Sequence, residues 1–149
     1  MTIPSQIERE ILIDAPVTEV WAAVTEASHI GTWFGNAGAT IDLRPGGAMT
    51  CTWRNGEAVD TVHGVVEKVD EPHLFSYRWA RPGVEPTPGN TTLVEFTLHP
   101  DGAGTRLRVV ESGFAELDRT ESERADHIAE NTDGWRMELD ELRAYLTSR

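Results

Sequence analysis

Two polar side chains in the predicted strands, Glu111 and His63, are candidates for acid–base chemistry. Strand alternation puts Glu111 on the same side as Leu107 and Val109, which is the apolar side of the strand. An unpaired carboxylate is costly in such a place, and a buried carboxyl group can act as a general acid or base. Two other interpretations stay open for Glu111, an ion pair with Arg54 and a solvated strand end. A lone histidine such as His63 is more often a hydrogen-bonded scaffold residue.

A set of aromatic residues could form the wall of a ligand pocket. Tyr77 and Trp79 share one face of a predicted strand, and Cys51 and Trp53 share one face of another. Pockets for small molecules are mostly apolar and aromatic, with a few polar groups among them. The alternative is that these rings fill the core. The predicted ligand-binding residues are Trp33, Phe34, Trp53, His63, Tyr77, Trp79, Glu111 and Trp135.

Several kinds of chemistry are disfavoured by motifs that the sequence lacks. It contains no phosphate-binding glycine-rich loop and no nucleophile elbow, and its five histidines have no metal-ligand spacing. The single cysteine, Cys51, excludes an internal disulfide framework and a cysteine-rich zinc site. We therefore predict no metal and no cofactor. The sequence leaves the catalytic residues unassigned and does not decide whether the protein is an enzyme.

Length and charge limit the class of protein further. The 149 residues suit one domain, spanning residues 1–149. Thirteen Lys and Arg residues against 25 Asp and Glu residues give a net charge of -12, which disfavours nucleic acid and anionic membrane surfaces as partners. The first ten residues contain no apolar stretch typical of a signal peptide, so we predict a cytoplasmic location.

The elements that must position these side chains follow from hydrophobic periodicity. Alternation predicts seven strands, separated in two places by the turn pairs Asn55-Gly56 and Asp101-Gly102. A stretch rich in proline and glycine, residues 81–90, predicts a long loop between two of them. The predicted strands cover residues 6–13, 39–44, 48–54, 58–69, 73–80, 91–99 and 105–112.

Three helices are predicted from apolar spacing and capping signals. One follows Pro16, and Ser28 is the predicted cap of a second, short helix that ends at Gly35. Thr120 and Glu123 form a possible capping box before a long C-terminal helix of about 26 residues. Its apolar stripe predicts a buried face made of Ile128, Thr132, Trp135, Leu139, Leu142 and Leu146.

Six sequence segments, taken in order, carry a family resemblance: residues 13–21, 29–35, 44–47, 63–72 together with 74 and 77–79, 105–114 and 134–135. The chain resembles the SRPBCC (START-like) superfamily from about residue 7 to residue 146. Within it, the chain is similar to proteins related to the C-terminal domain of the activator of the heat-shock protein 90 ATPase. The resemblance implies an α+β helix-grip fold, in which a curved antiparallel sheet of about seven strands wraps around a long C-terminal helix. It also implies an apolar cavity between sheet and helix.

The resemblance leaves three functions open, because one fold hosts many activities. The first is binding of a small hydrophobic or aromatic ligand in the cavity, with residues 81–90 and the segment around Phe34 as its entrance. The second is a cyclase- or hydrolase-type enzyme that uses Glu111 or His63 in the same cavity. The third is a co-chaperone-like module that binds a chaperone or another protein. A homodimer is also left open.

Overall fold

Alternating apolar residues produce the strands of this protein, whose computed structural model describes residues 5–147. In β1, for example, Ile7 and Ile13 are buried while Glu8 and Leu12 are exposed. The strands lie within three residues of the predicted bounds, because hydrophobic alternation and turn residues are local signals. They are β1 (Gln6–Ile13), β2 (Ala39–Ile41), β3 (Ala48–Asn55), β4 (Ala58–Asp70), β5 (Leu74–Trp79), β6 (Thr92–Asp101) and β7 (Gly104–Ser112).

All seven strands form one curved sheet with the order β1-β7-β6-β5-β4-β3-β2. Every neighbouring pair is antiparallel, and β1 closes onto β7 although the two are far apart in the chain. Gly56 and Gly102 have φ values of 66° and 60°, so both predicted hairpin turns use the left-handed conformation that glycine permits. The predicted loop is also present, since no helix or strand lies between β5 and β6.

The long helix α3 (Glu121–Thr147) starts at the predicted capping box. The Glu123 carboxylate accepts from the Thr120 backbone N–H at 3.0 Å, and the Thr120 hydroxyl accepts from the Glu123 N–H at 3.1 Å. These reciprocal bonds satisfy two of the free backbone donors at a helix start. Within the described residues, no helix is long and apolar enough to cross a membrane.

The two short helices, α1 (Val17–Thr25) and α2 (Ala27–Trp33), cross the space between β1 and β2. The predicted cap of α2 is wrong, because Glu26 occupies that position and no side chain caps the helix. The two helices follow each other with only Glu26 between them, so Ser28 already lies inside the first turn.

The core lies between the inner face of the sheet and the three helices. Thr132 is the exception in the predicted stripe of α3, because it is exposed to solvent. The other five members are buried: Ile128, Trp135, Leu139, Leu142 and Leu146. The predicted α+β helix-grip fold, with its sheet wrapped around a long C-terminal helix, is confirmed.

Candidate ligand-binding pocket

A pocket of about 370 Å³ lies between α3 and the strands β3, β4 and β5. Residues of the loop that follows β5 and the end of α2 complete its wall, and it opens to solvent. Small-molecule sites in proteins have volumes of roughly 300–1,000 Å³, so the space suits a compact organic molecule. The lining residues are Phe34, Trp53, Val62, Trp79, Ala80, Arg81, Pro82, His127, Glu130, Asn131, Gly134, Trp135 and Glu138.

Four rings, Phe34, Trp53, Trp79 and Trp135, form what we call the aromatic wall. Phe34 stacks on Trp79 and on Trp135, with ring centroids 5.7 and 5.5 Å apart and interplanar angles of 20° and 19°. Trp53 meets the Phe34 ring edge-on at 5.0 Å. Such pairs gain about 0.5–1.5 kcal/mol beyond their buried area, which keeps the rings in place without a ligand.

The helix contributes a second stripe, which we call the pocket stripe: His127, Asn131, Gly134 and Glu138. Its spacing of four, three and four residues is that of one helix face. It runs one residue before the apolar stripe and therefore lies beside it on the helix surface. Sequence analysis missed it because polar residues at helical spacing are typical of a solvated face. The repeat itself, next to the apolar stripe, is the signal that could have revealed it.

Glu111 lies behind the aromatic wall, fully buried, and holds it from the sheet side. Its Oε1 accepts from the Trp135 indole N–H at 2.9 Å and from the Asn131 amide at 3.0 Å. Its Oε2 accepts from the Trp79 indole N–H at 2.9 Å, the Thr92 hydroxyl at 2.5 Å and the Asn131 amide at 3.1 Å. The carboxylate thus connects β5, β6 and β7 to α3.

This bonding defines what Glu111 can do. A carboxylate has about four acceptor sites, and here they are occupied by uncharged donors. These bonds fix the orientation of the Trp79 and Trp135 rings. Neither alternative considered from the sequence occurs, because Glu111 has no exposed surface and Arg54 is exposed and not bonded to it.

Glu138 is a second pocket carboxyl group, on the pocket stripe and half-buried. Burial, followed by repulsion from Glu141, raises its pKa to about 8, and the Trp53 indole partly opposes the rise. Its Oε2 atom is buried and has no hydrogen-bond partner. Burial and the nearby Glu138 also raise the pKa of the Cys51 thiol to about 12, which makes that cysteine unreactive at neutral pH.

His127 and Arg81 lie at the other end of the pocket stripe. The His127 ring contacts Phe114 edge-on at 5.2 Å and accepts from the Arg119 guanidinium at 3.4 Å. Burial lowers the pKa of His127, so its ring is neutral near pH 7. Among residues 5–147, no three His, Cys, Asp or Glu side chains come together in a way that could hold a metal ion.

Two residues predicted from the sequence to bind a ligand, Trp33 and Tyr77, lie in the core instead. The Trp33 indole donates to the Ala23 carbonyl at 2.7 Å, and Tyr77 packs edge-on beneath Trp79 at 5.3 Å. Both line a void of about 10 Å³, which holds no more than a water molecule, and neither lines the pocket. Burial raises the Tyr77 pKa well above its ordinary value, so its hydroxyl stays neutral.

The placement of His63 corrects the sequence analysis. Its neighbours Val62 and Gly64 are buried, so alternation turns the His63 side chain to the outer face of the sheet. A Cβ atom on Gly64 would lie 2.8 Å from the Arg78 carbonyl oxygen and 3.3 Å from the Trp79 Cβ. The inward-facing position next to His63 is Gly64, where a larger side chain would clash with the neighbouring strand. His63 does not line the pocket. Which face of the sheet His63 occupies follows from the register of β4, which cannot be read from the sequence alone.

Gly134 leaves a gap in the helix face at the centre of the pocket. A Cβ atom there would meet nothing within 4 Å, which leaves room for a methyl group. Because glycine inside a helix costs about 1 kcal/mol relative to alanine, we expect Gly134→Ala to raise the free energy of unfolding by about that amount. Urea denaturation measures it, and a less stable variant would show that the position is strained.

A curved sheet closed by a long helix, with a pocket between them, defines the SRPBCC type of protein, as the sequence predicted. The family profile described as activator of Hsp90 ATPase homolog 1-like protein matches residues 14–147. The chain therefore belongs to this family. A comparison with curated protein sequences found no significant match.

Solved structures share the fold. DynU16, described as a protein in the dynemicin biosynthetic locus, is 26% identical with a TM-score of 0.76; the match covers 97% of this chain and 48% of DynU16. CalU16 from Micromonospora echinospora is 27% identical with a TM-score of 0.68, over 95% of this chain and 78% of CalU16. Protein NE0264 from Nitrosomonas europaea is 20% identical with a TM-score of 0.79, over 99% and 97% of the two chains. This chain thus spans about half the length of DynU16.

Proposed function

We propose that this protein binds a small, largely apolar or aromatic molecule in the pocket between the sheet and α3. The observation that carries the proposal is the aromatic wall facing a space of about 370 Å³. In a protein without a binding role, four large rings at one site would be expected to pack the space closed. Membership of the family is consistent with a cavity of this kind.

The rings of the aromatic wall are ordered before any ligand binds, which supports a binding site rather than a poorly packed core. Two of its indoles are held by the buried Glu111, and Phe34, Trp79 and Trp135 contact one another with ring centroids 5.5–5.9 Å apart. Rings that are already ordered lose little side-chain entropy when a ligand arrives. A flat aromatic molecule can therefore bury its surface here at a small ordering cost.

The test uses N-phenyl-1-naphthylamine, a neutral apolar dye that becomes fluorescent when it leaves water. We expect saturable binding to the native protein, and at least tenfold weaker binding to Gly134→Phe, whose ring would fill the pocket; tenfold corresponds to about 1.4 kcal/mol. Gly134→Ala should bind the dye like the native protein, because a methyl group takes up little of the space.

A matched control places the same bulk elsewhere on α3. Ala144 is exposed and lies outside the pocket, so Ala144→Phe should leave dye binding unchanged. Circular dichroism checks that each variant is folded. Equal dye binding by folded Gly134→Phe and native protein would refute the pocket as the binding site.

Enzymatic catalysis by Glu111 or His63 has less support than ligand binding. Glu111 has its acceptor sites filled and is separated from the pocket by the rings that it holds. His63 faces away from the cavity. The cyclase or hydrolase hypothesis would need another residue as its acid or base.

The co-chaperone hypothesis draws its support from the description of the family, which refers to an activator of the Hsp90 ATPase. The exposed large apolar residues do not add to it, since they are spread over separate segments of the chain. They are Leu12, Leu43, Val59, Val65, Val84 and Met137. A chaperone partner, a homodimer, a single domain over residues 1–149 and a cytoplasmic location remain predictions from the sequence.

A further inference from the structure

We propose that the ligand carries a protonated amine, which Glu138 and the Trp53 ring bind at one end of the pocket. The proposal rests on the proposed function and adds the charge of the ligand to it. Its basis is a buried carboxyl oxygen without a partner, placed against an aromatic wall in an acidic protein.

The first argument is the unfilled acceptor on Glu138. Its Oε2 atom is buried and unbonded, whereas both oxygens of Glu111 receive donors from the protein. Buried polar atoms in proteins are normally satisfied, and the exceptions need an explanation. Glu138 lines the pocket, so a rotation of its carboxyl group would bring Oε2 to the N–H donors of a ligand, which would supply the missing partner.

The surface beside Glu138 is aromatic. Trp53 interacts with the Glu138 carboxyl group, and the Phe34 and Trp79 rings continue the same wall. Aromatic faces attract cations, and the attraction is larger where water is excluded. A carboxylate together with tryptophan rings is a combination that recognises an ammonium group better than a neutral or anionic one.

The two ends of the pocket differ in their charged residues. Arg81 lies near His127, which is eleven residues before Glu138 on α3 and so about 16 Å away along the helix axis. Glu138 itself has Glu141 as its charged neighbour on the helix. The Glu138 end therefore has acidic groups and no cation, and the only lining guanidinium among the described residues is at the opposite end.

Of Glu138 and the sheet residues coupled to it, only Glu138 changes its protonation state near neutral pH. Cys51 on β3 and Tyr77 on β5 are the ionisable groups coupled to it from the sheet, and both stay protonated near neutral pH. Glu141 on α3 is exposed to solvent. An ammonium ligand therefore makes Glu138 release its proton to the buffer and forms an ion pair in the pocket.

The experiment compares three probes of nearly equal shape: 1-naphthylmethylamine, 1-naphthylmethanol and 1-naphthoate. Calorimetric titration near pH 7.5 should show the amine binding about tenfold more tightly than the alcohol, with the carboxylate weakest. Titration in two buffers of different ionisation enthalpy should show net proton release with the amine alone. Glu138→Gln should reduce the amine-to-alcohol affinity ratio to about one, and Glu141→Gln should largely retain it.

Each outcome decides the proposal. Equal affinities for amine and alcohol, tighter binding of the carboxylate, or an unchanged ratio in Glu138→Gln would overturn it. If all three probes fail while N-phenyl-1-naphthylamine still binds, the amine is rejected and the apolar pocket stands. If that dye fails as well, the proposed function falls together with this inference.

Discussion

Glu111→Leu should lower the free energy of unfolding by about 3–5 kcal/mol, the largest effect expected of any single substitution considered for this protein. Glu111 is fully buried and accepts from Trp79, Thr92, Asn131 and Trp135. Leucine would leave these donors without a partner, and each unsatisfied buried donor costs about 1–3 kcal/mol. Removal of a buried charge offsets part of this cost. The net loss is a large part of the total stability of a domain, which is about 5–15 kcal/mol.

Urea denaturation with matched variants tests this result. Glu10 is an exposed strand glutamate whose salt bridge to Arg106 spans 3.5 Å, so Glu10→Leu should change stability by less than about 1 kcal/mol. The cost of Trp79→Phe, which removes one donor, should be smaller in the Glu111→Leu background than in the native protein. A loss below about 1 kcal/mol for Glu111→Leu would contradict the role assigned to this carboxylate.

Glu138→Gln should reduce the loss of folding stability that the native protein shows as the pH rises above neutral. The pKa of Glu138 is about 8 in the folded protein, against an ordinary value of 4.5. Between these values the folded state keeps a proton that the unfolded chain has lost, so the contribution of Glu138 to stability declines as the pH rises through this interval. Glutamine resembles the protonated acid and does not titrate. Relative to native protein, the variant should gain about 2 kcal/mol between about pH 5 and about pH 9, after discounting for partial solvent exposure.

The measurement is the free energy of unfolding of both proteins at several pH values across this range. Titration of other groups affects both proteins alike and cancels in the difference. Glu141→Gln tests the second cause of the raised Glu138 pKa: because burial is the larger cause, this variant should keep most of the pH dependence of the native protein. A difference between Glu138→Gln and native protein that stays constant with pH would mean that Glu138 is ionised in the fold.

Glu111 and Glu138 differ in how far the sequence alone reveals their environment. Glu111 stood out because strand parity is a local property, and the structure does place it on the inner face. Its partners could not be foreseen, since Trp79, Asn131 and Trp135 come from other strands and from α3. Glu138 was missed because a glutamate on a strongly acidic helix is ordinarily solvated.

Local patterns in the sequence are enough to predict the strands and helices, the hairpin turns and the capping box of α3. These depend on alternation, turn residues and neighbours within about four positions, all of which can be read along the chain. It also determined that aromatic residues would gather on the inner face of the sheet, through the parity of β3 and β5.

Only the tertiary structure decided which of those rings face a space and which fill the core. Trp33 and Tyr77 are large aromatic residues like Trp79 and Trp135, but they lie where α2 packs on the sheet. The position of α3 on the sheet leaves the pocket beside Gly134 and buries one oxygen of Glu138. That position results from packing among residues distant in sequence, and no local pattern encodes it.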